Sequence, residues 1–139
     1  MQYVIGFAFT PSQGRVLLQR KSKPPELAGL WSAPGGKVEG YETPRNAMVR
    51  EWFEETSVAA DADVWDHFAV ITTAKGDEIH AFRTWEEQVL MNFAATDEPL
   101  ALFGVQALPL PRVHDLGWLV GMALDVDVIA ARVTSRFSL

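Results

Sequence analysis

Gly35-Gly36-Lys37-Val38-Glu39-Gly40-Tyr41-Glu42-Thr43-Pro44, followed after five residues by Arg50-Glu51-Trp52-Phe53-Glu54-Glu55, joins a glycine turn to a helix that ends in three glutamates. Thr43 suits the N-cap and Pro44 the first helical position, where a missing N–H costs nothing, so the helix is predicted to start there. At about 100° per residue Glu51, Glu54 and Glu55 share one side, with Ala47 on the same face a turn earlier. Met48, Val49, Trp52, Phe53 and Thr56 fill the rest of the circumference and are predicted to hold the helix against a sheet.

This helix opposes its own stability twice. Like charges at i, i+4 repel by roughly 0.2–0.5 kcal/mol, and glutamates near a helix C-terminus meet the unfavourable end of its dipole. A hard divalent cation such as Mg²⁺ offsets both effects, because it takes carboxylate oxygens and binds beside phosphates. A solvated acidic face is the alternative for the glutamates alone, and the glycine turn in front of them favours the cation.

The stretch resembles the Nudix box, G-x5-E-x7-R-E-U-x-E-E-x-G-U with U apolar, through Gly36, Glu42, Arg50, Glu51, Trp52, Glu54, Glu55 and Val58, spread over 23 residues. One fixed position departs: Ser57 stands where the pattern has glycine. A glycine there would close the helix in the left-handed conformation, which a serine adopts at a cost of roughly 1–2 kcal/mol. The resemblance implies an α+β fold, an α/β/α sandwich with a mixed β-sheet between helices, and a hydrolase that cleaves the pyrophosphate bond of a nucleoside diphosphate derivative. The expected substrate, in the MutT-like manner, is a (deoxy)nucleoside triphosphate, oxidised forms included, cut to the monophosphate and pyrophosphate. Nucleotide sugars and dinucleoside polyphosphates are alternatives, as is a non-catalytic domain that senses a nucleotide.

Composition agrees with one domain spanning residues 1–139. The chain is 48% apolar and 22% charged, with five tryptophans and eight phenylalanines, the balance of a globular protein with a real core. A net charge of −6 argues against polymeric nucleic acid as a partner, for which a basic stripe is expected, and leaves a small nucleotide open. No cysteine is present, which excludes thiolate chemistry and disulfides and fits a cytoplasmic protein. The N-terminal residues lack the pattern of a signal peptide, and no apolar run reaches membrane-spanning length. The resemblance also admits a homodimer.

On either side of the box, Tyr3–Phe9 and Arg15–Arg20 flank turn residues and are predicted to form a first hairpin. Residues 21–34 form a loop anchored by Leu30 and Trp31. Val64–Thr73 and Glu78–Trp85 form a second hairpin around residues 74–77, residues 86–96 fit neither period, and Leu100–Val105 is a strand. A last helix is predicted from Leu116 to Arg132.

The resemblance distributes the chemistry. Glu51, Glu54 and Glu55, with the Gly36 carbonyl, are expected to bind Mg²⁺, with Mn²⁺ as the alternative, and Arg50 is expected to orient Glu54 from one turn away. Glu42 is structural support. Arg20 and Lys37 are candidates for the phosphate chain. The general base is open, with Glu98 as first choice outside the box and Glu86 and Glu87 behind it. For the base or other leaving group, His114, Asp115 and Trp118 resemble a purine-recognition segment, with helix capping by Asp115 and core packing of Trp118 as the alternative.

Overall fold

The computed structural model of the protein describes residues 1–137. Its strands are β1 Gln2–Ala8, β2 Arg15–Arg20, β3 Trp31–Ser32, β4 Gly35–Lys37, β5 Asp66–Thr72, β6 Glu78–Thr84, β7 Leu100–Gly104 and β8 Ala131–Thr134. Its helices are α1 Pro44–Thr56 and α2 Leu116–Leu124. Five strands make a mixed sheet in the order β4-β1-β6-β5-β8, and β3-β2-β7 make a smaller one.

Side-chain alternation along the strands assigns the two helices to opposite faces. From β1, Val4 and Ala8 pack with Ala47, Met48 and Trp52 of α1, while Phe7 packs with Leu116, Leu119, Val120 and Ala123 of α2. The small sheet continues both layers, Leu17 on the α1 side and Val16 and Leu18 on the α2 side. This is the expected sandwich, and burial on both faces explains why β1 and β5 read as almost continuous apolar runs.

The first hairpin is not formed as a strand pair. Thr10 N–H donates to the Arg15 carbonyl at 2.9 Å and Phe9 bridges Val16, but the chains then part. β1 runs parallel to β6 over seven residues and antiparallel to β4, so a strand apolar on both faces takes a central place and has no free edge for β2. The second hairpin forms as expected, β5 antiparallel to β6. Residues 21–34 carry a 3-10 turn at Pro25–Leu27 and the short β3, with Leu30 and Trp31 half-buried against the core. Within residues 86–96 the structure places a 3-10 turn, Glu87–Leu90.

The last helix is shorter than predicted and ends at Leu124. Asp125 Oδ1 accepts from the Asp127 N–H at 3.0 Å, a local turn that competes with helix, and the buried Arg83 takes the carbonyls of Met122, Ala123, Asp125 and Val128. Residues 131–134 then form β8, parallel to β5. Among the described residues no helix is long and apolar enough to cross a membrane.

Candidate active site

Helix α1 begins and ends as its sequence requires. The Thr43 side chain accepts from the Asn46 N–H at 3.1 Å with Pro44 at the first helical position. Ser57 closes the helix in the left-handed conformation, φ 67° and ψ 12°. Its Oγ donates to the Ala94 carbonyl at 3.2 Å, a bond that a glycine lacks and that offsets part of the strain. One detail of the apolar face differs from expectation: Ala47 is buried and Phe53 is 54% exposed.

Arg50 gathers the carboxylates. Its guanidinium donates from Nε to Glu42 at 2.6 Å and from Nη2 to the other Glu42 oxygen at 2.8 Å. Nη1 donates to Glu51 at 2.9 Å and to Glu54 at 3.2 Å, and Nη2 also reaches the Lys37 carbonyl at 3.0 Å. The expected hold on Glu54 is present, but the tightest grip is on Glu42, a forked pair that ties the helix to the turn before it. The Arg50 contact holds the Glu42 carboxyl below its ordinary range, and Glu42 in turn raises Arg50.

The two glycines serve different neighbours. A Cβ on Gly35 would stand 1.9 Å from the Val4 carbonyl oxygen, whereas one on Gly36 would stand 2.4 Å from the Glu51 carboxylate. Gly35 therefore admits strand pairing, and Gly36 leaves room for Glu51 against the backbone. Glu55 accepts from the Gly35 N–H at 3.1 Å. Burial pushes the Glu55 carboxyl up to about 7, against the opposing pull of Lys21, Gly35 and Gln19. Burial raises Glu51 as well, with Arg50 opposing.

Hard oxygen donors, a cradle that any side chain at position 36 would fill, and partly buried like charges fit a hard divalent cation. Among the described residues no three His, Asp or Glu side chains already converge as a closed cage. Arg50 Nη1 stands between Glu51 and Glu54, so an ion shared by those two competes with it for the same oxygens.

Beside Gly35 and Gly36 lies a cavity of about 250 Å³. Tyr3, Ile5, Leu27, Ile79 and Val113 give it apolar walls, and Lys21, Lys23 and Lys37 also line it. Of the two basic candidates, Lys37 lines this cavity, whereas Arg20 is exposed at the end of β2 opposite Trp31, with Nε 3.5 Å from the Gly29 carbonyl. Its neighbour Lys21, just past the end of the strand, lines the cavity. Glu98 is buried and accepts from the Ser22 N–H and, at 2.8 Å, from Ser22 Oγ, with Lys21 Nζ 3.7 Å away. Gln19, Lys21, Ser22 and Lys23 were missed in the sequence; strand alternation from Leu17 marks Gln19 for the α1 side.

The NUDIX domain family model matches residues 2–115. The chain belongs to the Nudix hydrolase family. A Mycobacterium tuberculosis protein described as putative 8-oxo-dGTP diphosphatase 2 is 34% identical over 126 residues, 87% of this chain and 88% of that one. The CTP pyrophosphohydrolase of Escherichia coli is 42% identical over a shorter span, 38% of this chain and 39% of its own. The crystal structure of a MutT Nudix hydrolase from Burkholderia pseudomallei superposes with a TM-score of 0.66 at 25% identity, covering 88% of this chain and 98% of that one. Hydrolases of this family use divalent metal ions, in keeping with the donor set on α1.

In this Nudix hydrolase the segment 113–118 divides. Val113 lines the cavity beside the box, whereas Asp115 and Trp118 border a second hollow with Ser135 and Phe137. Asp115 is buried, with one oxygen accepting from Ser135 Oγ at 2.6 Å and the other from Trp118 Nε1 at 3.1 Å. It occupies the N-cap position of α2 without a capping bond from its side chain. His114 stacks on Phe137 with ring centroids 4.0 Å apart. The structure therefore does not bring His114, Asp115 and Trp118 to the cavity that adjoins the box glycines.

Proposed function

We propose that this Nudix hydrolase converts a (deoxy)nucleoside triphosphate, with oxidised purines among the candidates, to the monophosphate and pyrophosphate in the presence of Mg²⁺. The observation that carries this reading is the cavity: its apolar chamber has room for one base, and it opens onto Gly35, Gly36 and three lysines. A base enters such a chamber at the gain of its apolar burial, and the lysines offset phosphate charge that the acidic chain would otherwise repel. The kinship to a protein described as an 8-oxo-dGTP diphosphatase supports the oxidised purine. The CTP pyrophosphohydrolase adds pyrimidines to the test.

The Gly36 carbonyl, Glu51, Glu54 and Glu55 would hold the ion, Mg²⁺ or Mn²⁺ by the hardness of the donors. When bound, it would neutralise phosphoryl oxygens and lower the pKa of water. The remaining work is positional, as phosphoryl transfer requires. Arg50 fixes Glu42, Glu51 and Glu54 relative to the turn, Gly35 N–H fixes Glu55, and the chamber walls hold the nucleoside away from solvent. In the reaction, a water oxygen bonds to a phosphorus of the bridge and the bridging P–O bond breaks; pyrophosphate leaves if the α-phosphorus is attacked.

A panel of canonical and oxidised (deoxy)nucleoside triphosphates, nucleotide sugars and dinucleoside polyphosphates, assayed with Mg²⁺, tests the reading. Pyrophosphate with a monophosphate is the expected product of at least one triphosphate. Turnover confined to nucleotide sugars or dinucleoside polyphosphates would overturn it, and binding without turnover would make the protein a sensor.

A further inference from the structure

Glu98 and Lys21 come from distant parts of the chain and meet at the rim of the cavity. The Lys21 backbone is tied on both sides, its N–H to the Leu30 carbonyl at 2.8 Å and its carbonyl to the Gly29 N–H at 2.7 Å. Glu98 is brought in by β7, since the adjacent Pro99 carbonyl accepts from the Arg20 N–H at 2.9 Å. Glu98 then closes on the corner: one oxygen takes both Ser22 donors, and the other faces Lys21 Nζ. Lys21 lines the cavity together with Gly35 and Gly36, and Glu98 does not.

A general base needs a lone pair directed at the water whose proton it removes. One Glu98 oxygen takes both Ser22 donors, and the other stands 3.7 Å from Lys21 Nζ. What Glu98 does control is where the ammonium stands. A free lysine side chain disperses over many rotamers, and a buried carboxylate beside it selects among them. We propose that Glu98 is a positioning residue, which fixes the Lys21–Ser22 corner so that the Lys21 ammonium faces the phosphate chain of the substrate. This rests on the reading of the cavity as a nucleotide site.

The test measures binding separately from turnover. The probe is the α,β-methylene analogue of whichever triphosphate the panel identifies, titrated calorimetrically with Mg²⁺ into wild-type protein, Glu98→Gln, Lys21→Met and the double variant. Each single variant is expected to weaken binding by about tenfold, the scale of one charge-assisted contact, and the double variant to bind no more weakly than Lys21→Met. In steady state KM rises while kcat falls by less than about threefold, and the acid limb of the pH–rate profile stays in place. Ser22→Ala, which loosens the corner without touching a charge, is expected to weaken binding by about threefold and guards against a Glu98→Gln that folds poorly.

Normal analogue binding by Glu98→Gln or Ser22→Ala overturns the proposal. So does a Glu98→Gln that binds normally, loses about a hundredfold or more in kcat and sheds the acid limb. Failure of the wild-type enzyme to turn over or bind any nucleotide would instead refute the nucleotide reading itself.

Discussion

Helices α1 and α2 lie on opposite faces of one sheet and balance their polar groups in opposite ways. α1 has 13 residues and carries three glutamates in its last turns, whose charges are met by Arg50 on the same helix and by the Gly35 N–H of the neighbouring strand. α2 has nine residues and no charged side chain, and its loose carbonyls are met by Arg83 from β6. Arg83 is only 2% exposed, held by Asp66 at 2.8 Å and lying over the rings of Phe68 and Trp85. Glu54, by contrast, is 54% exposed. An arginine facing carboxylates at an open site has partners that a cation or phosphate can compete for, whereas one buried among carbonyls is fixed for stability. Substitutions should therefore separate: those on α1 reduce turnover, those around α2 reduce stability.

The largest effect is expected for Glu54→Gln. If Glu54 holds the proposed cation, removing its charge should lower turnover by about a hundredfold or more, while the thermal midpoint barely moves because the residue is exposed. A kinetic assay paired with a melt checks both halves, and near-normal turnover would sink the metal assignment. Next comes Arg83→Met on the other face. It leaves the carbonyls at the end of α2 without a donor and should cost about 2–4 kcal/mol in chemical denaturation, with kcat per folded molecule unchanged. A fall in kcat without loss of stability would mean that the α2 face takes part in the reaction.

How much of this was legible in the sequence follows from how local each feature is. The cap at Thr43 and the left-handed Ser57 are set by neighbours within a few residues and stand where the spacing put them. The expected glycine turn is instead strand β4, because Gly35 and Gly36 pair with β1 far back in the chain. The failed β1–β2 pairing, the early end of α2 and the choice of Lys21 over Arg20 depend on partners far along the chain. Arg83 acts on a carbonyl 40 residues away, and Glu98 reaches Ser22 across 76. Periodicity carries no information about such partners, nor about a side chain such as Lys21 that lies past the end of β2 and lines the cavity.

Asp115→Asn tests the division within segment 113–118. The carboxylate is a double acceptor, and an amide can accept at only one end. With the amide oxygen on Trp118 Nε1 the Ser135 contact must reverse, Ser135 Oγ becoming the acceptor in place of a charge-assisted bond. The expected cost is about 1–2 kcal/mol of stability, with the order of preference across the nucleotide panel unchanged. A shift in preference between purines would instead return Asp115 to base recognition and place the base in the hollow bordered by Trp118, Ser135 and Phe137.

The smallest expected effect is in the pH dependence of stability, and two sets of groups, both on the α1 face, contribute with opposite sign. On the α1 face of β5 and β6, His67 Nε2 and His80 Nδ1 lie 3.1 Å apart, with His67 stacked on Phe82. Burial pushes both imidazoles below their ordinary 6.5; the second ring and Arg45 add to this at His67, while at His80 Glu78 opposes and Arg132 adds. The unfolded chain therefore takes up more protons than the folded one below 6.5, so this stabilisation is complete above that pH and is lost as the pH falls through it. Glu55, raised to about 7 by burial, works the other way in metal-free buffer: protonation favours the folded state as the pH falls from 7 toward 4.5. The wild-type slope is a difference of the two and so says little alone. Denaturation midpoints from pH 8 to about 5 should show His67→Gln flattening the loss of stability on acidification and Glu55→Gln steepening it. Parallel curves for wild type and His67→Gln would mean that the histidine pair is already solvated in the folded protein.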